Sequence, residues 1–115
     1  IVIAVGHNEH KKGMFSVEER VERIEKHYAN EPKIEVVAYS DLTVDVAKRV
    51  GANVIIKGVR SFKDFEYERE QADINRRLSS IETIFFYAEP QYESISSSIV
   101  RELIHFGRDV SDMMI

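Results

Sequence analysis

The sequence predicts an α/β fold, in which a parallel sheet is covered by helices on both faces. Short apolar runs alternate with charged, amphipathic stretches of helical length, in the order β-α-β-α-β-α-β-α. The first run, Ile1 to Val5, is apolar at every position, as expected for a strand that is covered on both faces. This alternation favours parallel strands that are joined by right-handed helical crossovers.

Each predicted element is bounded by residues that start or stop regular structure. The predicted strands are four short apolar runs, at residues 1–5, 33–39, 53–57 and 82–87. The predicted helices occupy the intervening stretches, from residue 17, at about 44–50, at about 64–78 and from the serines to about 106. Ser16 and Glu19 form a capping box that begins the first helix, and Pro32 marks the break after it. Gly51 and Gly107 stand where the second and fourth helices are capped at their C-termini.

The length of the chain favours a single domain. Its 115 residues are enough for one compact domain with one core, so we expect a single α/β domain over residues 1–115. The sequence opens directly on a strand and stops at what resembles the start of another element. We therefore expect this domain to be truncated at both ends.

The composition excludes several classes of protein. The net charge of −4 predicts no general attraction to nucleic acid or to acidic membranes, so any phosphate binding must be local. The absence of Cys excludes disulfides, thiolate catalysis and Cys-based zinc sites, and it is compatible with a reducing compartment. No apolar run approaches the ~20 residues that a membrane-spanning helix requires.

A hydroxyl-rich segment lies between the fourth predicted strand and the fourth predicted helix. Its residues are Tyr92-Glu93-Ser94-Ile95-Ser96-Ser97-Ser98-Ile99-Val100-Arg101. At a helix start, hydroxyl groups lie beside backbone N–H groups that have no partner within the helix, and the helix dipole favours negative charge there. Such a segment is suited to phosphate, and Arg101 adds a fork of donors about one turn later. The alternative is a serine-rich loop that only caps the helix.

A second, basic segment ends the third predicted strand. Lys57, Gly58 and Arg60 follow a buried apolar run, at the carboxyl end where open parallel sheets bind their ligands. Gly58 would allow a ligand to approach the backbone closely. Two such segments at the ends of strands predict a substrate with several phosphates, and the alternative for this one is a solvated basic loop.

Several motifs together give the chain a resemblance to a known family. They are Lys11-Lys12-Gly13-Met14-Phe15-Ser16-Val17-Glu18-Glu19-Arg20, Ser40-Asp41-Leu42-Thr43-Val44, Lys57-Gly58-Val59-Arg60, Asp64-Phe65-Glu66-Tyr67-Glu68, and Ile95-Ser96-Ser97-Ser98 with Arg101. Over nearly all of its length the chain resembles the bacterial phosphopantetheine adenylyltransferases, which belong to the nucleotidyltransferase superfamily. The resemblance implies a Rossmann-like nucleotidyltransferase fold.

The resemblance also implies an activity and a set of binding residues. Enzymes of this family transfer AMP from ATP to 4′-phosphopantetheine, with Mg²⁺, and form dephospho-coenzyme A and pyrophosphate in coenzyme A biosynthesis. By the family pattern, phosphopantetheine would contact Lys11, Thr43 and Lys57. ATP would contact Gly58, Val59, Arg60, Glu68, Tyr92, Glu93, Ser94, Ile95, Ser96, Ser97 and Ser98. The family further suggests a homohexamer, a cytoplasmic location and feedback control by coenzyme A.

The chain departs from the family pattern in two places. The family often has Arg where this chain has Lys57, which keeps the charge but loses the planar fork. The family's Thr/His-x-Gly-His motif does not occur in residues 1–115, so we do not expect the catalytic histidine among His7, His10, His27 and His105. That motif follows the family's first strand, so we expect this strand to be missing and Val54 and Ile56 to be exposed.

In adenylyl transfer, a phosphate oxygen of one anion attacks the α-phosphorus of ATP in line. The reaction therefore requires positioned positive charge rather than a protein nucleophile. Lys11 and Arg60 are therefore the candidate catalytic residues. Each has a structural alternative, which is a solvated loop lysine for Lys11 and an ion pair with Asp64 or Glu68 for Arg60. Thr43 could equally cap a helix. His7 and His10 have no evident third ligand, so we expect no metal site there.

Two other kinds of function stay open at this point. One is another nucleotidylyltransferase of the superfamily, such as a cytidylyltransferase or a nicotinate-mononucleotide adenylyltransferase. The run from Asp64 to Glu68 and the loop around Lys11 argue against it. The other is an anion-binding or assembly domain without catalytic activity.

Overall fold

A computed structural model describes residues 1–7 and 13–115 of the chain. In this part of the chain, parallel strands alternate with α-helices in the predicted order, which confirms the α/β class. The described residues form two compact units. The first unit contains Ile1–Leu42 and Arg101–Ile115, and the second contains Thr43–Val100.

The first unit contains one parallel strand pair and its crossover helix. Strand β1 (Val2–Gly6) pairs with β2 (Glu35–Tyr39), and helix α1 (Val17–His27) lies between them in the chain. The predicted capping box begins α1: the Glu19 N–H donates to Ser16 Oγ over 3.1 Å, and the Ser16 N–H donates to the Glu19 carboxylate over 3.3 Å. Two orphan donors of the helix start are thereby satisfied.

The second unit contains the other parallel pair. Helix α2 (Thr43–Arg49) precedes β3 (Val54–Val59), and helix α3 (Phe62–Ser79) connects β3 to β4 (Glu82–Tyr87). Helix α4 (Ser97–His105) begins in this unit, and its residues from Arg101 onward belong to the first unit. On one face of the strand pair, the rings of Phe65 and Phe85 meet edge to face with 5.5 Å between their centroids. Val59 at the end of β3 is completely buried.

The four strands form two separate two-stranded sheets. Parallel pairing was predicted correctly, but β1–β2 and β3–β4 share no ladder hydrogen bonds in the described residues. One strand pair lies in each unit. The face of β3 and β4 away from Phe85 carries exposed Ile56 and Phe86, whereas Val54 is only half-buried.

The ends of two elements differ from the sequence prediction. β3 continues to Val59 instead of stopping at Lys57, because it pairs with β4 as far as Tyr87. Lys57 and Gly58 therefore lie within a strand rather than in the following turn. Helix α3 begins at Phe62, two residues earlier than predicted, because the side chain of Ser61 accepts the Asp64 N–H and caps the helix.

Candidate functional site

The cations of the basic segment both face carboxylates of helix α3. Lys57 Nζ lies 3.8 Å from Glu68 Oε2, and Arg60 Nε donates to Asp64 Oδ2 over 3.1 Å. Asp64 and Glu68 are four residues apart, so they lie on one face of the helix. The ion pair between Arg60 and Asp64 was one of the structural alternatives for Arg60. The pairing of Glu68 is with Lys57 instead of Arg60.

Arg60 also connects the basic segment to the serine segment. Its Nη1 donates to the backbone oxygen of Ile95 over 3.0 Å, across 35 positions of sequence. Ile95 immediately precedes Ser96, whose side chain caps α4. The two segments that the sequence singled out are therefore in contact through one guanidinium group.

The serine segment forms the start of α4, as predicted. A 3-10 turn at Pro90–Tyr92 leads into it, and Ser96 Oγ accepts the Ile99 N–H over 3.2 Å. This is an N-cap bond, so the capping role of the serines is real at Ser96. Ser97 and Ser98 form the exposed first turn of the helix, where backbone N–H groups favour an anion. Capping and phosphate binding are compatible here because they use different N–H groups.

Gly58 lies beside open space. Its φ is outside the left-handed region, unlike those of Gly51 and Gly107, so the turn of the backbone does not require glycine there. A Cβ built at Gly58 would meet no atom within 4 Å. Neither conformation nor packing in the described residues therefore explains this glycine, whereas close approach of a ligand would.

The other predicted residues are distributed more widely. Thr43 is the first residue of α2, in the same unit as Lys57 and Arg60. Tyr92 is half-exposed, and Glu93 and Ser94 are exposed in the loop before α4. Lys11 and His10 lie outside the described residues, so the structure says nothing of the predicted roles of this loop.

The described histidines and Arg101 belong to the first unit. His27 and His105 make edge-to-face ring contacts with their sequence neighbours Tyr28 and Phe106. The backbone N–H of His7 donates to the Tyr39 oxygen and extends the β1–β2 ladder.

The first unit has an open groove of a different kind. It is lined by residues of α1 with both signs of charge, and Arg23 lies 4.6 Å above the Phe15 ring and donates to the Ile115 backbone oxygen. This groove contains none of the predicted site residues that the structure describes. Because it carries both signs of charge, this groove is less suited to a polyphosphate than the first turn of α4.

Two general properties of the described residues concern metal binding and membranes. In residues 1–7 and 13–115, no group of three or more His, Asp or Glu side chains is placed to hold a metal ion. The helices of the same residues include none with the length and apolar character to cross a bilayer.

Sequence reasoning missed one part of this cluster, the carbonyl of Ile95. A backbone acceptor carries no residue-type signal, and its partner is remote in sequence. Asp64 had a local signal, since the pattern Ser61-x-x-Asp64 resembles a helix-capping sequence.

The second unit combines parallel βαβ pairing with contact between the basic and serine-rich segments. The family model described as cytidylyltransferase-like matches residues 1–103. Within that class, the chain belongs to the phosphopantetheine adenylyltransferase family. It is 50% identical to the phosphopantetheine adenylyltransferase of Porphyromonas gingivalis over 114 aligned residues. These residues are 99% of this chain and 74% of that protein.

Two further relatives have the same name. The phosphopantetheine adenylyltransferase of Phocaeicola vulgatus is 51% identical over 114 residues, which are 99% of this chain and 76% of that protein. The one from Flavobacterium psychrophilum is 47% identical over 111 residues, which are 96% of this chain and 74% of that protein. The matched region thus includes both segments of the candidate site.

Proposed function

We propose that this protein transfers AMP from ATP to 4′-phosphopantetheine and forms dephospho-coenzyme A and pyrophosphate. The observation that carries the proposal is about 50% identity, over 99% of the chain, to a protein named phosphopantetheine adenylyltransferase. The local geometry supports it, because Arg60, the unobstructed backbone at Gly58 and the N-terminus of α4 all lie in the second unit.

The reaction is a substitution at phosphorus. An oxygen of the phosphopantetheine phosphate attacks the α-phosphorus of ATP and forms a new P–O bond. The bond from the α-phosphorus to the oxygen that bridges it to the β-phosphate breaks, and pyrophosphate leaves with the electron pair. The protein's contribution is to align the two anions and to stabilise the charge that develops between them.

The chain's residues divide this task. We assign Arg60 and the first turn of α4 at Ser97 and Ser98 to the phosphates of ATP, because both present N–H donors. The open space at Gly58 gives the nucleotide access to the backbone of β3. We assign Glu68 and the loop Tyr92–Ile95 to ATP as well, on the family pattern.

Phosphopantetheine is assigned to Lys57, Thr43 and Lys11, again on the family pattern. Lys57 Nζ and Glu68 Oε2 are 3.8 Å apart, beyond hydrogen-bond distance, so this half-buried pair holds the ammonium group only weakly. A phosphate can displace Glu68 at little cost. Lys57 supplies a point charge in this position, without the fork of the arginine that is usual there.

The remaining proposals rest on the family alone. They are a homohexamer, a cytoplasmic location and a feedback site for coenzyme A. Mg²⁺ would enter with ATP, since magnesium in such sites takes most of its ligands from phosphates and water. The donor set fits this arrangement, because the described residues offer no dedicated cage of three or more His, Asp or Glu side chains.

The test is a substrate matrix with the purified full-length protein, including any native residues that precede Ile1, because the Thr/His-x-Gly-His motif does not occur in residues 1–115. Pyrophosphate release is measured with ATP or CTP, each with phosphopantetheine, glycerol phosphate or nicotinate mononucleotide. We expect turnover with ATP and phosphopantetheine only. Turnover with CTP and glycerol phosphate, or with nicotinate mononucleotide, would identify another nucleotidylyltransferase. Calorimetric ATP binding without any turnover would identify an anion-binding domain.

A further inference from the structure

Arg60 is held at two points that lie on different segments. Its Nε donates to Asp64 Oδ2 over 3.1 Å, and its Nη1 donates to the Ile95 oxygen over 3.0 Å. The backbone N–H of Arg60 donates to the same Asp64 oxygen over 3.3 Å. One carboxylate thus engages both the backbone and the side chain of Arg60, while the guanidinium reaches the chain just before α4.

Asp64 is fixed in turn by the way α3 begins. Ser61 is the N-cap and accepts the Asp64 N–H over 3.2 Å, which places Asp64 in the first turn. A negative charge is favoured there by the helix dipole. The Asp64 side chain reaches back past the cap and accepts the Arg60 N–H, one residue before the N-cap N–H that a capping box uses. The carboxylate therefore has a defined position before any ligand arrives.

This arrangement leaves part of the guanidinium group available. An arginine has five N–H donors in a rigid fork, and the bonds to Asp64 and Ile95 use the Nε–H and one on Nη1. The Arg60 side chain is 39% exposed, so part of it is open to a ligand. Its orientation is set by the two bonds, so binding does not have to immobilise a freely rotating side chain.

We propose that Asp64 is a positioning residue for ATP binding, which acts through Arg60 and does not itself contact the nucleotide. The inference rests on the proposed function. The opposite possibility is that Asp64 competes with phosphate for Arg60. The geometry favours positioning, because Asp64 makes directed hydrogen bonds to Arg60, whereas the Lys57–Glu68 pair at 3.8 Å lacks one.

The first measurement is the affinity for ATP, by calorimetry, of the protein and its Asp64 variants. Asp64→Ala should weaken ATP binding about ten-fold and reduce turnover by up to ~10²-fold, because a misdirected donor costs that much in rate. Asp64→Asn keeps an oxygen that can accept the Nε–H, so its ATP affinity should stay within about three-fold of wild type. Tighter ATP binding in either variant would mean that Asp64 competes with phosphate, and would overturn the inference.

A matched control separates positioning from helix capping. Ser61→Ala removes the side-chain bond that accepts the Asp64 N–H but keeps the Asp64 carboxylate, so it should lower the melting temperature by about 5 °C and weaken ATP binding by no more than about three-fold. If Ser61→Ala weakened ATP binding as much as Asp64→Ala, the effect would belong to the helix start, and Asp64 would have no positioning role.

A double-mutant cycle decides whether Asp64 acts through Arg60. In an Arg60→Ala background, Asp64→Ala should cause no further loss of ATP affinity, since the group that it positions is gone. Additive losses would overturn the inference. Failure of the unmodified protein to bind ATP would instead contradict the proposed function itself. The two failures are therefore distinguishable.

Discussion

At the scale of single residues, the contacts of Arg60 are structural and remain compatible with the proposed phosphate-binding role of the same side chain. The expected alternative to phosphate binding was an ion pair, and the ion pair with Asp64 is present. Because the guanidinium group is a fork, this pair occupies one edge and leaves other donors accessible. Lys57 cannot share its donors between two partners in this way, since its ammonium group is a single point charge.

The first prediction concerns Arg60→Ala. If Arg60 stabilises charge during transfer, turnover should fall by about 10²-fold, comparable to the loss of one oxyanion donor. Unfolding free energy should fall by only ~1 kcal/mol, because the pair with Asp64 is partly exposed. Pyrophosphate release and urea unfolding measure the two effects. Arg60→Lys is the control that keeps the charge without the fork, and near-normal turnover of a folded Arg60→Ala variant would refute the assigned role.

The second prediction concerns Gly58→Ala. Its φ is ordinary and a Cβ would meet no atom within 4 Å, so the fold should tolerate alanine, with stability unchanged or higher by ~0.5 kcal/mol. The methyl group would enter the space assigned to the nucleotide and should weaken ATP binding about ten-fold or more. Calorimetry and thermal melting measure both. Unchanged ATP affinity would show that no ligand approaches the backbone at Gly58.

At the scale of elements, the sequence predicted what depends on local signals. The capping box at Ser16, the positive φ at Gly51 and Gly107, and the four strands and four helices all follow from neighbouring residues. The end of β3 was wrong because it is set by pairing with β4, which is remote in sequence. The same limit applies to the bond between Arg60 and Ile95.

The third prediction uses two residues of the same strand. Val59 is completely buried at the end of β3, whereas Ile56 in the middle of β3 is 61% exposed. Val59→Ala should therefore lower the free energy of unfolding by ~2–3 kcal/mol, from lost burial and a residual cavity. Ile56→Ala, the matched control, should change it by less than ~0.5 kcal/mol. Urea unfolding measures both, and equal losses would contradict the described burial of β3.

At the scale of the whole molecule, the candidate nucleotide site belongs to one compact unit. All of the residues assigned to ATP lie within Thr43–Val100, as do Thr43 and Lys57. The net charge of the chain is −4, and the two cations of the basic segment each face a carboxylate. An ATP molecule therefore meets little excess positive charge. Under the proposed function, directed N–H donors at Arg60 and at the start of α4 supply the recognition instead.

The last prediction follows from this charge balance and concerns removal of divalent metal. ATP is highly anionic, so its approach to an acidic protein is favoured when Mg²⁺ neutralises part of its charge. The described residues contain no group of three or more His, Asp or Glu side chains that could form a resident metal cage. Excess EDTA should therefore abolish pyrophosphate release while the melting temperature of the ligand-free protein stays within about 1 °C, since a metal that binds only with ATP adds nothing to the stability of the free protein. Excess Mg²⁺ should restore turnover fully. A clear fall in melting temperature on chelation would instead indicate a metal held by the protein itself.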